Sequence, residues 1–75
     1  MPEGELQQTV GRNLLEYRRA RGLSQEQLAV ELGVHRTYMG GVERGERNLT
    51  LKSVERIANR LKMDVMDLLR DPKLA

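Results

Sequence analysis

Apolar residues recur along this chain at spacings of three and four, the period of amphipathic helices, and no segment alternates as a half-buried strand would. Val10, Leu14 and Tyr17 share one face of a first helix predicted from about Leu6 to Arg21, and Gly22 follows where a left-handed terminal residue is wanted. Ser24 opens a second helix with Gln27 three positions on, the S-x-x-Q capping box. Leu28, Ala29 and Leu32 form its buried side, and Gly33 stops it. A third helix runs from about Arg36 to Arg44, with Met39 and Val42 toward the core and Gly45 at its end. After Thr50, a fourth stripe reads Leu51, Val54, Ile57, Ala58 and Leu61. A fifth helix starts after Asp64, turns Val65, Leu68 and Leu69 inward, and ends near Arg70 because Pro72 follows. The expected fold class is therefore all-α with five helices. It should form one domain over residues 1–75, ordered from about 6 to 70, with short flexible termini.

The segment from Gln25 to Arg44, QEQLAVELGVHRTYMGGVER, is the most informative part of that pattern. Its two short helices meet at a tight turn on Gly33, and Ala29 is small where they must cross closely. This is the pattern of a helix-turn-helix, whose second helix is built to enter a DNA major groove.

Composition narrows the chemistry. A chain of 75 residues buries only about 60% of the surface its unfolded form exposes, so a second copy of itself is a natural source of added stability. Cysteine is absent and His35 is the only histidine, which leaves no thiolate metal site and no zinc site. His35 falls at the N-cap of the third helix, a place for capping or for a phosphate-adjacent role. No nucleophile–base pair or phosphate-binding glycine loop is present, so neither enzymatic activity nor a cofactor is expected. No apolar run approaches the roughly 20 residues of a membrane span. The start, MPEGELQQTV, lacks the apolar core of a signal peptide, and a cytoplasmic location is expected. Thirteen basic and eleven acidic side chains give a net charge of +2, and their placement says more than the sum. Arg12, Arg18, Arg19 and Arg21 lie on the first helix and Arg36, Arg44 and Arg47 around the third. Glu3, Glu5, Asp64, Asp67 and Asp71 gather near the ends.

A step of 100° per residue then sorts the third helix. With Met39 and Val42 inward, Thr37, Gly40, Gly41 and Arg44 fall on the outward, solvent-facing side, and Arg36 and Tyr38 flank its N-terminal end. Residues at that end meet base edges in helix-turn-helix docking. Arg36 is the first candidate for base readout, since a guanidinium bridges guanine O6 and N7, and Thr37 is the second. The alternatives for Arg36 are a phosphate contact or a solvated charge. Candidates for the DNA backbone are Gln25 at the N-terminus of the second helix, Tyr38, Arg44, Arg47, Asn48 and the loop amides near Gly45. Tyr38 could equally pack on the second helix, and Asn48 could instead shape the loop before Thr50.

From about Val10 to Leu69 the chain resembles the helix-turn-helix domains of phage repressors and Xre-type regulators. The resemblance is carried by RRARGLSQEQLA, ELGV, VERGERN, the following amphipathic helix and DVMDLL. Within that family, HRTYMGGVERGERNLTLKSVERIA most resembles the controller proteins of restriction–modification systems, small free-standing dimers that regulate their own operon. The resemblance implies that Arg18 and Glu43 form an ion pair joining the first helix to the end of the third. A solvated Glu43 beside Arg44 or Arg47 is the alternative. It also lends the phosphate roles of Gln25 and Arg47 their main support. Gly40 and Gly41 depart from the family, which often carries polar side chains at these positions; close approach to DNA, tight packing and simple drift are all open readings. Lys62 stands where the family commonly has glycine, so a left-handed backbone there would be mildly strained.

Met63, Met66 and Leu69 leave the fifth helix with more apolar surface than one buried face needs, the mark of an interface. A homodimer through the fourth and fifth helices would read a palindromic operator with two recognition helices about 34 Å apart. The function expected is a dimeric, autoregulatory, sequence-specific regulator of double-stranded DNA, with no small-molecule ligand. An antitoxin or coactivator-like subunit that binds another protein through the fifth helix is the competing reading. Non-specific nucleoid binding is a third.

Overall fold

Ser24 and Gln27 show how local chemistry sets the helix boundaries. The Ser24 hydroxyl accepts from the Gln27 amide at 3.1 Å, while the Gln27 side chain accepts from the Ser24 amide at 2.8 Å. Both bonds satisfy donors that a helix start leaves open. The structure, a computed structural model, describes residues 3–71. Its helices are α1 (Glu5–Ala20), α2 (Gln25–Leu32), α3 (Arg36–Glu43), α4 (Leu51–Leu61) and α5 (Val65–Leu69). The starts of α3, α4 and α5 are capped in the same spirit, while α1 begins at Gly4 without a side-chain cap. His35 Nδ1 accepts from the Thr37 amide at 3.0 Å, Thr50 Oγ1 from the Ser53 amide at 3.0 Å, and Asp64 Oδ1 from the Met66 amide at 2.8 Å.

The five helices close around one core. Val10 and Leu14 of α1, Leu28, Ala29 and Leu32 of α2, and Met39 and Val42 of α3 meet Val54, Ile57, Ala58 and Leu61 of α4 and Leu68 of α5. Leu51 is the exception to the expected stripe: it is 78% exposed. It has the right rotation but sits at the first residue of α4, where the helix overhangs the end of the core. Tyr17, Val65 and Leu69 are half-buried and pack on the core from its edge.

Two contacts place α1 as the back of the fold. Gly11 lets it lie directly on the C-terminal backbone of α3, with no room for a side chain between them. The Asn13 amide donates to the carbonyls of Leu68 at 2.8 Å and Arg70 at 2.9 Å, satisfying acceptors that the end of α5 leaves open. Arg70 itself leaves α5 in an extended conformation. Lys62 closes α4 with φ +56°, in the left-handed region. Pro72, expected to stop the last helix, and the first and last residues of the expected frayed ends lie outside the described residues. Among those described, no helix is long and apolar enough to cross a membrane.

Candidate nucleic-acid interface

The turn between α2 and α3 forms because Gly33 takes a left-handed backbone (φ 70°), which lets the Val34 amide reach back to the Ala29 carbonyl at 3.0 Å. What holds the two helices in register is Glu43. Arg18 Nε of α1 donates to Glu43 Oε2 at 2.8 Å and its Nη2 to Oε1 at 3.2 Å, a two-pronged contact. Gln25 Nε2, at the start of α2, donates to the same Oε1 at 2.8 Å. Arg18 Nη1 also donates to the Leu23 carbonyl at 3.0 Å. One carboxylate, only 4% exposed, thus ties the end of α3 to α1 and α2. The hydrogen bond to Glu43 holds the Arg18 guanidinium above its ordinary pKa, outweighing the opposite pull of burial.

This arrangement fixes which groups face outward. Arg36 and Thr37 are exposed at the N-terminal end of α3. Gly40 and Gly41, expected to face solvent, are buried instead. They do lie on the outward side of the helix, but long side chains from elsewhere cover them. The Arg44 guanidinium and the Gln25 carboxamide lie over Gly40, and the stem of Arg47 lies over Gly41. Gln25 therefore turns its side chain inward, leaving its backbone amide, rather than its carboxamide, for an anion. Arg44 is exposed and pairs with Glu46 at 3.1 Å.

Of the loop amides near Gly45 expected at phosphate, two are already paired within the chain. Gly45 N–H donates to the Val42 carbonyl at 3.0 Å and Glu46 N–H to Gly41 at 2.9 Å. Asn48 is exposed, and its side chain makes no hydrogen bond within the described chain, so it does not shape the loop by bonding to it. The Tyr38 ring is half-buried in a cleft with Leu32 of α2 and Ser53, Arg56 and Ile57 of α4. Arg47 covers its other side, with Cζ 5.2 Å from the ring centroid.

The basic residues of α1 divide differently from the sequence pattern. Arg12 pairs with Asp71 at 3.9 Å, Arg18 with Glu43, and Arg21 with Glu31 at 3.8 Å while also meeting Tyr17. Around α3 stand Arg36, Arg44 and Arg47, as the sequence pattern has them, and Arg56 of α4 lines the same cleft as Tyr38. Arg56 escaped sequence reasoning because it sits on the outer face of another helix, and only the packing of α4 beside Tyr38 brings it there.

Of the three residues expected at a partner surface, Met66 is 52% exposed, whereas Met63 and Leu69 are half-buried against their own core. The other exposed large apolar residues among those described are Leu51, Leu6 at 44% and, on α2, Val30 at 76%. Leu6, Leu49, Leu51 and Leu69 line a shallow groove between α1 and α4.

The helix-turn-helix family model (HTH_3) matches residues 14–68. Control protein C.SmaI of Serratia marcescens is 45% identical over 65 residues, covering 87% of this chain and 77% of that protein. The hypothetical transcription factor NHTF from Neisseria superposes with a TM-score of 0.83 at 33% identity, over 99% of this chain and 86% of that one. The restriction-modification controller protein C.AhdI from Aeromonas hydrophila gives 0.72 at 44% identity, over 83% and 94%.

Proposed function

Because the chain belongs to the helix-turn-helix family of DNA-binding transcriptional regulators, and is not an enzyme, we propose that it is a dimeric, sequence-specific regulator of its own operon, of the restriction–modification controller kind. The observation that carries this reading is the exposed Arg36–Thr37 end of an α3 whose orientation Glu43 locks against α1 and α2. Arg36 bridges guanine O6 and N7, and Thr37 offers a hydroxyl and a methyl to a neighbouring base. Arg44, Arg47, Asn48 and Tyr38 track the phosphates on either side, and the open amides at the start of α2, with Gln25, take another.

The dimer is supported by the exposed apolar side chains Leu51, Met66 and Leu6 on α4, α5 and α1. A two-fold pair sets two copies of α3 about 34 Å apart on a palindromic operator. Occupancy is then governed by protein concentration in the cytoplasm, with no ligand required.

The test is protection of the DNA upstream of the protein's own gene against a scrambled duplex, at two salt concentrations. Two protected half-sites about one helical turn apart, absent from the scrambled duplex, are expected. Equal, salt-sensitive binding to both duplexes would leave only electrostatic affinity and overturn the reading.

A further inference from the structure

Gly40 and Gly41 leave the middle of α3 without side chains on the face turned toward DNA, yet both are buried. The three atoms nearest to a side chain at Gly41 all belong to one residue. A β-carbon at Gly41 would stand 3.1 Å from both Cγ and Nε of Arg47 and 3.6 Å from its Cδ. The Arg47 stem therefore occupies the space that a side chain at position 41 would take, and a β-carbon there would force it to give by a few tenths of an ångström. Its far end is located just as closely, with Cζ 5.2 Å from the centroid of the Tyr38 ring.

Tyr38 and Gly41 are three residues apart and share one face of α3. The Arg47 side chain thus runs backward along the helix, from the loop that follows it toward the N-terminal end that carries Arg36 and Thr37. No carboxylate among the described residues lies within ion-pair distance of Arg47, so its charge is held by packing and the ring alone.

We propose that Gly41 and Tyr38 are positioning residues for Arg47. The missing side chain at 41 and the ring at 38 form a seat that delivers the guanidinium to the DNA face already ordered. This rests on the DNA-binding reading above, and it gives the outward glycine a function. An arginine on a flexible loop loses rotamer freedom on binding, and a seated one has lost much of it beforehand. The bare stretch of α3 is then not a gap in the interface. It is the space in which a side chain from the next segment lies.

The seat is first read in the free protein by NMR. Stacking on Tyr38 shifts the Arg47 side-chain protons upfield. Tyr38→Leu should abolish that shift and Gly41→Ala should reduce it, while Tyr38→Phe, which keeps the ring, should preserve it. The nearest atoms that Gly41→Ala meets are those of the flexible Arg47 stem, and the substitution improves helix propensity, so the variant remains folded.

The second arm is a double-mutant cycle on duplex DNA. Arg47→Ala should weaken binding by about tenfold, the order of one charge-assisted contact. Gly41→Ala should lose most of the same factor in the wild-type background and almost nothing when Arg47 is already alanine. Equal losses in both backgrounds would show that Gly41 acts through the helix itself and overturn the proposal, as would unshifted Arg47 protons in the wild-type protein. If the wild-type protein shows no sequence preference, the functional reading fails while the NMR arm still decides the seat.

Discussion

A β-carbon on Gly11 would stand 2.3 Å from the carbonyl oxygen of Val42 and 2.7 Å from that of Glu43. Both contacts are with backbone, so no rotamer change relieves them, and α1 must move off α3. That movement would also stretch the Arg18–Glu43 pair. Gly11→Ala should cost about 3 kcal/mol or more, the upper range for overpacking. For a domain of this size the midpoint of thermal unfolding should fall by more than about 10 °C. A thermal melt checks it, with Gly41→Ala as the comparison: the same substitution against a flexible side chain should leave the midpoint near its original value.

Glu43 serves three helices at once, so its loss should exceed that of an ordinary surface ion pair. Glu43 is 4% exposed and Arg18 16%, which places removal of one partner near about 3 kcal/mol, the lower end for buried pairs. Urea unfolding of Glu43→Leu, Arg18→Met and the double variant Arg18→Met/Glu43→Leu gives the answer. The double variant should recover part of the single losses, because neither charge is then left alone; strictly additive losses would mean the pair is not coupled. Arg18 has its pKa raised, so its share of the stability is complete below the ordinary arginine range and lost only as pH rises through the raised value. Across neutral pH the pair should give no slope from this group.

The parts of this molecule that were legible in the sequence are those whose signals are local. The Ser24–Gln27 capping box, the turn at Gly33 and the apolar stripes each depend on a few neighbouring residues. Leu51 shows where periodicity stops being informative, since the stripe continues one turn past the end of the core it serves. Gly11 and Asn13 left no signal at all. A glycine inside a helix reads only as a propensity cost until the backbone lying on it is known, and an asparagine on α1 gives no hint of carbonyls more than fifty positions away. Gly40 and Gly41 were placed correctly by rotation but not by exposure, because the groups that cover them come from the start of α2 and from beyond α3.

Lys62 is the one described non-glycine residue with a positive φ, at 56°. A left-handed conformation costs a residue with a β-carbon roughly 1 kcal/mol, and glycine adopts it freely. Lys62→Gly should therefore raise the thermal midpoint by about 4–8 °C. The side chain is exposed, so no packing is lost to offset the gain. A lowered midpoint would mean that the lysine makes a contribution its backbone does not reveal.

The apolar surface on α1, α4 and α5 should report directly on assembly. Leu51 is 78% exposed and Met66 52%, so replacing both with glutamine removes little from the monomer's own core. Sedimentation equilibrium should show a self-associating wild-type chain and a variant shifted to monomer, with helical content unchanged by circular dichroism. Operator affinity of the variant should fall most at low protein concentration, where the dimer is scarce. A wild-type chain that stays monomeric at high concentration would remove the dimer from the proposed function.

Arg36 and Arg44 bracket the outward face of α3, yet they should behave differently on DNA. Arg44 already pairs with Glu46, whereas Arg36 is exposed with no carboxylate partner among the described residues. Arg36→Ala should cost about 1–3 kcal/mol against the cognate base pair and relax the preference at that position alone. Arg36→Lys should not restore it, because a single ammonium cannot match the two guanine acceptors that a guanidinium spans. Arg44→Ala should weaken all sequences alike and reduce the salt dependence, as removal of a phosphate contact does. Binding measured across single-base operator variants separates the two outcomes. A uniform loss for Arg36→Ala would move that residue from base readout to the phosphate backbone, and leave Thr37 as the side chain to test for specificity at the N-terminal end of α3.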